Sequence, residues 1–338
     1  IRVLTLKASL DRKANLRFTF DVGNINDHED KHEALSYTLG VPVFSQKLYH
    51  ENAPGYLKIT SNLKDALTKL RQPTPDRMIW VDAVCINQQN NHEKNFQIPM
   101  MRDIYKKARG VLTWLVQGNK DVKNDFDRLS KLSRATLVNE RGAHRRASER
   151  VASLDYFSRR WIIQELVLNH EVTLPYGSAS ISWIRFQTAF RSVQQAVKAI
   201  EDTSSINVVS RIITPWSFWS KVYMLPGWNT SDADRYHNRR GSSRHRNRTI
   251  SEPLAQKLGV FDLLSTFESS QCGDPLDILY TLLTLTTDMR ATGISVHQIC
   301  TSGIVREQGV GHPPSSFGPP AVARVLQCKI PFLGPRLA

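Results

Sequence analysis

Two residues one helical turn apart carry the strongest chemical suggestion in this 338-residue chain. Trp161 and Glu165 are four positions apart, so on a helix both project from one face. A carboxylate beside an indole on a mostly apolar helix is costly to bury unless it is paired or put to use. Arg159 and Arg160 are close enough in sequence to neutralise it. A surface glutamate on the helix edge is the alternative. Two more polar clusters close short apolar runs. Ser36-Tyr37-Thr38 ends the first. Asp82 ends the second and is followed by Cys85, Asn87 and Gln88. Ligands of an open parallel α/β sheet bind at the carboxyl ends of its strands, so Ser36, Tyr37, Asp82 and Asn87 are candidate binding residues. Asp82 could equally cap a turn or helix, and Asn87 and Gln88 could bond only within their loop. Cys85 reads as a small buried packing group rather than a nucleophile, because no His stands beside it.

Several chemistries have no support. The ten His residues are scattered, and neither His92 nor His170 has an HxxxH or HxxE partner, so no metal site is expected. There is no G-x-G-x-x-G and no Walker-type glycine loop, which removes the ordinary dinucleotide oxidoreductase and P-loop readings.

The elements that must position these residues follow from periodicity. Leu35-Ser36-Tyr37 reads as a short strand ending at Gly40. Thr60, Ser61 and Asn62 are N-cap candidates for a helix whose apolar face is Leu63, Ala66, Leu67 and Leu70. Met78-Ile79-Trp80-Val81 reads as a buried parallel strand. A helix with Ile98, Met101, Ile104, Tyr105 and Ala108 on one face follows, then a strand over residues 111–116. The charged stretch from Gly118 to about Arg150 is helical at best. A third helix carries Trp161, Ile162, Glu165, Leu166 and Leu168, and a strand over 171–174 follows it. Strands alternating with helices predict an α/β fold with a parallel sheet and helices on both faces. Beyond it the chain reads mainly helical, with helices over 187–200, 254–267 and 276–285. From about Gly309 the tail is rich in Gly and Pro.

Charge and cysteine usage narrow the class further. The formal net charge is +14, and residues 141–160 and 235–248 carry ten of those charges in segments that read as loops. Without a nucleic-acid-binding motif, the six-arginine run at 235–248 reads as a solvated surface insertion, and nucleic acid is not an expected partner. The four Cys residues are far apart with no CxxC, which fits a reducing compartment. No apolar run approaches the length of a membrane span, so no membrane association is expected. The chain starts at Ile1 without Met, as a fragment would.

At these same residues the sequence resembles a known family. The run His32-Glu33-Ala34-Leu35-Ser36-Tyr37-Thr38-Leu39-Gly40 resembles the "Y-E-A-L-S-Y-x-W-G" opening of the fungal heterokaryon incompatibility (HET) domain. Trp80-Val81-Asp82-Ala83-Val84-Cys85-Ile86-Asn87-Gln88 is similar to its "W-[IV]-D-A-[IV]-C-I-N-Q" signature. Met101, Ile104, Tyr105, Ala108, Val111, Trp114 and Leu115 follow its "M-x-x-I-Y-x-x-A-x-x-V-x-x-W-L" segment. Tyr156-Phe157-Ser158-Arg159-Arg160-Trp161-Ile162-Ile163-Gln164-Glu165-Leu166 resembles its "F-x-R-x-W-x-x-Q-E" end. Asp274-Pro275-Leu276-Asp277-Ile278-Leu279-Tyr280 resembles a weaker downstream box. Leu39 stands where the family usually has Trp, and Leu276 where it has Arg.

The resemblance implies a HET domain over residues 1–180, a mainly helical region over 181–308 with a basic loop at 235–248, and an irregular tail over 309–338. It implies a cytoplasmic fungal protein that triggers programmed cell death when unlike hyphae fuse. It also implies self-association or another incompatibility protein as partner. HET domains are held to resemble the Toll/interleukin-1 receptor (TIR) domain, a flavodoxin-like fold. Some TIR domains cleave NAD at the nicotinamide–ribose bond with a helical Glu in a "W-C-x-x-E-L" context. Trp161 through Leu166 is similar to that pattern, which implies Glu165 as catalytic residue. Ser36, Tyr37, Asp82, Asn87, Arg160 and Trp161 would be binding residues, with NAD as substrate and no required cofactor. A non-enzymatic signalling module is the competing expectation. A cleft holding Glu165, Trp161 and the end of the Ser36 strand would favour the enzyme. Glu165 on a flat surface would favour the module.

Overall fold

In the computed structural model, the residues that can be described are 1–115, 120–132, 141–176 and 179–187, with single positions or short runs at 190, 210–215, 217, 219–220, 263, 266–267, 281–282 and 285. The strands are β1 (Arg2–Leu6), β2 (Arg17–Val22), β3 (Glu33–Tyr37), β4 (Gln46–His50), β5 (Tyr56–Ile59), β6 (Arg77–Trp80), β7 (Gly110–Trp114), β8 (Val172–Tyr176) and β9 (Ala179–Ser182). The helices are α1 (Ser61–Leu70), α2 (Asp82–Cys85), α3 (Asn91–Lys107), α4 (Lys120–Leu132), α5 (Arg141–Ala152) and α6 (Ile162–Val167). All nine strands form one sheet in the order β5-β4-β2-β1-β6-β3-β7-β8-β9.

The sheet is mixed, which corrects the expectation of a parallel one. Its parallel block is β6-β3-β7-β8. Antiparallel pairs extend it on both sides, β1 against β6 and β2 on one side and β9 against β8 on the other. The parallel block is made of the four strands that periodicity predicts. Ala34, Leu35, Ile79, Trp80, Val111 and Leu174 are all buried there, as strands covered on both faces require.

The predicted helix after residue 60 is α1. Thr60 is its N-cap and accepts a hydrogen bond from the Leu63 N–H at 3.3 Å. Leu63, Ala66, Leu67 and Leu70 are its buried face. Asn62, another cap candidate, does different work. Its side-chain amide donates to the Thr38 carbonyl, and its Oδ1 accepts from Trp114 Nε1 at 3.0 Å. The carboxyl ends of β3 and β7 are thereby tied to α1. The first basic segment is not a loop. It holds α5, where Arg150 makes two 2.6 Å bonds to the buried Asp125 of α4. The segment 235–248, the tail, and most of the predicted C-terminal helices lie outside the described residues.

Candidate functional site

The parallel block delivers the polar residues to one end of the sheet. In register, Ser36 faces Thr113 and Tyr37 faces Trp114 across β3 and β7. Asp82 follows the end of neighbouring β6 and opens α2. In chain order these strands lie second, first, third, fourth, so the direction of winding reverses between β3 and β7. Crevices for ligands form at such a reversal.

Glu165 meets this edge from α6. Its side chain is only 3% exposed. The Ser36 hydroxyl donates to Glu165 Oε2, and the Tyr156 hydroxyl bonds to Ser36 Oγ in turn. The other carboxylate oxygen, Oε1, lies 3.8 Å from Arg159 Nη2. Arg159 Nη1 donates to the Tyr37 carbonyl at 2.7 Å. A 3-10 turn over Asp155–Ser158, followed by extended backbone at Arg159, aims Tyr156 and Arg159 at this point. Sequence alone leaves Arg159 and Arg160 equivalent as partners of Glu165, and the turn separates them. Arg160 points to the C-terminal region, where its Nη2 donates to the Phe267 carbonyl at 2.8 Å.

Electrostatics bind the group together. Burial pushes the Glu165 carboxyl above its ordinary value, against the pull of Arg159 and of the Ser36 hydrogen bond. Burial pushes Asp82 up as well, opposed mainly by Arg159. Burial works against the Arg159 charge, but Glu165 and Asp82 outweigh it and hold that guanidinium above its usual value. One cation therefore serves two desolvated carboxyls. Tyr37, Tyr105 and Tyr156 are pushed up by their own burial, with the nearby carboxylates adding to it.

The sign of the resulting pH dependence is fixed. An acid whose folded pKa is raised holds a proton that the unfolded chain releases. Its contribution is complete below the ordinary carboxylate range near pH 4 and is lost as pH rises through the folded pKa. Glu165→Gln removes one such acid. Urea midpoints at pH 5, 6, 7 and 8 should fall less steeply for Glu165→Gln than for the natural chain. Parallel curves would place the Glu165 titration elsewhere.

The remaining predicted residues are distributed unevenly. Asp82 is half-buried, and its Oδ1 accepts the Ala83 N–H at 2.7 Å, so it both caps α2 and joins the charged group. Asn87 is exposed and bonded locally. Its N–H donates to Glu93 at 2.9 Å and its Oδ1 accepts from the Gln89 N–H at 3.1 Å. Trp161 is half-buried against the core, and its carbonyl accepts the Glu165 N–H. Cys85 is a packing group, with its thiol pushed up to about 12 by burial. Sequence reasoning did not assign site roles to Tyr156 or Tyr105, and named Arg159 only as one of two possible partners of Glu165. The two tyrosines read there as motif and helix-face residues, and only the packed structure brings the Tyr156 hydroxyl to Ser36 and the Tyr105 hydroxyl to the Leu35 carbonyl.

Glu165 therefore stands in neither of the two expected settings. It is not on an open surface, and the hollow beside Arg159 is small. That hollow is lined by Phe157, Arg159, Ile162, Arg211, Pro215 and Phe267 among others and holds about 20 Å³. Such a space admits a water molecule. A drug-sized ligand needs roughly 300 Å³ or more. Two buried donors at the same sheet edge, the Tyr37 hydroxyl and the Trp80 indole N–H, have no hydrogen-bond partner among the described residues. No group of three or more potential metal ligands occurs among the described residues.

Comparison with known proteins agrees with the motifs. Residues 32–165 match the family model described as heterokaryon incompatibility protein (HET). The matched stretch runs from just before β3 to Glu165 itself. Heterokaryon incompatibility protein 6, OR allele, of Neurospora crassa is 37% identical over 89 residues, covering 24% of this chain and 13% of that relative. The chain thus spans a small part of the curated relative that it matches. No solved structure matches it. The motifs, their placement around one sheet edge and the family match agree in what they point to: residues 32–165 are similar to the heterokaryon incompatibility domain.

Proposed function

We propose that this chain acts in fungal heterokaryon incompatibility, and that its HET domain triggers cell death by hydrolysing NAD at the nicotinamide–ribose bond. The family match and the name of the Neurospora relative support the incompatibility role. The observation that carries the chemistry is the buried Glu165, held by Ser36 and Arg159 at the winding reversal of the sheet. The order of the parallel strands is that of flavodoxin-like folds and supports the TIR-like reading. Titratable groups displaced by burial and specific charge partners cluster at functional sites.

In this reading the C1′–N bond of NAD breaks and its electron pair leaves on nicotinamide. The ribose gains oxocarbenium character, as in glycoside hydrolysis. The Glu165 carboxylate stabilises that charge at short range in a dry setting. Water adds at C1′, and its proton passes to Glu165. Arg159, rather than Arg160, is the cation placed to orient the carboxylate or hold a phosphate. Access requires that the cover over α6 move. That cover includes Phe267, which packs with Ile163 and Val167, and Thr281, whose carbonyl accepts from Gln164 at 3.1 Å. Self-association, or contact with another incompatibility protein in the cytoplasm, would supply the displacement.

Glu165→Gln keeps size and hydrogen bonding while removing charge. NAD turnover by the self-associated natural chain should exceed that of Glu165→Gln about a hundredfold, or roughly 2.7 kcal/mol in barrier. Equal turnover removes Glu165 from the mechanism. The near-complete burial of Glu165 favours a second reading, a non-enzymatic module in which the charged group only holds the domain shut. That reading predicts death of a fungal host with no change in its NAD level.

A further inference from the structure

The rim of the sheet beside this site carries a second unusual surface. Between β3 and β4 the chain projects the loop of residues 39–44, Leu39-Gly40-Val41-Pro42-Val43-Phe44, with no charged side chain. Its apolar groups face solvent. Leu39 is 38%, Val41 77%, Val43 57% and Phe44 49% exposed. The root of the loop is fixed, because Asn62 holds the Thr38 carbonyl and is itself held by Trp114. Gly40 makes the sharp exit with φ of 71°. At the tip, the Val43 N–H bonds to the Val41 carbonyl at 2.7 Å, and Pro42 has no N–H to satisfy. These two features lower, at residues 41–43, the cost of burying unpaired backbone groups in an apolar medium.

Positive charge lies on the elements that follow this projection. Lys47 on β4 and Lys58 on β5 stand directly opposite each other, both exposed. Like charges in that position repel unless an anion lies across them. Lys64, also exposed, reaches Gln46 at the base of the loop with a 2.8 Å bond. Lys47 Nζ sits 4.4 Å from the ring centre of half-exposed Tyr56, an aromatic suited to a polar–apolar boundary. In segments 38–47 and 56–65, Asp65 is the single acid. The whole chain carries +14. An exposed apolar tip with three exposed lysines on the elements next to it is complementary to a surface that is anionic outside and apolar within.

We propose that residues 39–44 insert into the interface of an anionic phospholipid bilayer, with Lys47, Lys58 and Lys64 on the lipid headgroups. No described helix is long and apolar enough to cross a membrane, so the contact is peripheral. Apolar insertion and lysine–headgroup attraction add, each weak alone.

The test is flotation of the full chain with vesicles of phosphatidylcholine containing about 30% phosphatidylserine, or of phosphatidylcholine alone. Charge-only binding by other basic segments fades at about 0.5 M salt, where the screening length falls to a few ångströms. The natural chain should remain on anionic vesicles at that salt. Val41→Asp with Phe44→Asp should bind about tenfold or more weakly, and Val41→Ser with Phe44→Ser should fall between the two. Neutralising each of the three lysines with Gln should cost about fivefold at low salt. Unchanged melting temperatures will show that the substitutions leave the fold alone. Equal flotation of the natural and Asp-substituted chains overturns the proposal. So does an Asp-substituted chain that changes oligomeric state while binding vesicles normally, since the tip would then belong to a contact between copies.

Discussion

Replacing Arg159 with leucine is expected to lower the unfolding free energy by about 3–5 kcal/mol near neutral pH. The cause is what the substitution leaves behind. Glu165 and Asp82 are both displaced by burial, and Arg159 is the opposing charge common to them. Without it, both carboxyls lose the cation that offsets their burial. Removing one partner of a buried pair costs far more than the pair itself contributes. The 2.7 Å bond from Arg159 to the Tyr37 carbonyl is lost as well. The Arg159 side chain is 28% exposed, which allows some solvent screening and places the expectation toward the lower end. Urea unfolding at pH 7 checks it. A loss below about 1 kcal/mol would be that of an exposed ion pair and would contradict a dry site. Combining Arg159→Leu with Glu165→Gln should recover part of the loss, because groups in one network are not additive.

Trp80→Ala should cost a similar amount, about 3–5 kcal/mol, for a different reason. Trp80 is fully buried at the end of β6, in the middle of the sheet. Its ring meets Tyr105 edge-on at 5.7 Å, and that contact packs α3 onto the sheet. Alanine leaves a void that the flanking strands β1 and β3 cannot close without breaking their pairing. The loss includes transferred apolar area and the cavity that remains. Guanidinium or urea denaturation again reads it. A cost under about 1.5 kcal/mol would mean that the site collapses around the smaller side chain.

The parts of the fold legible in the sequence are those with a buried period. Strands β3, β6, β7 and β8 are short apolar runs bounded by polar residues, and α1 and α3 show one apolar face each. The strands β1, β2, β4 and β5 escaped for physical reasons. β4 and β5 each bury a single residue, Leu48 and Ile59, so neither carries an alternation long enough to read. β2 buries Phe18 alone. Their pairing with one another and with β1 defines them, and pairing partners are not written in local pattern. The site shows the same division. Ser36, Tyr37, Asp82 and Glu165 were placed by their positions at strand ends and on α6. The choice of Arg159 over Arg160, and the entry of Tyr156, depend on a single 3-10 turn whose geometry no spacing rule supplies. Asn87 lies on the right loop but is exposed, with its Oδ1 taken by the Gln89 N–H and its own N–H by Glu93.

Strand β1 has a consequence for the order in which the molecule can assemble. It lies between β2 and β6, and so joins the β5-β4-β2 side of the sheet to the parallel block. Leu4 pairs with Ile79, a separation of 75 positions along the chain. During synthesis the first strand must therefore wait unpartnered on that side until β6 has left the ribosome. Loop closure over such a span slows folding. Until then its inner edge, with Val3, Leu4 and Leu6 uncovered, is open to pairing with other chains.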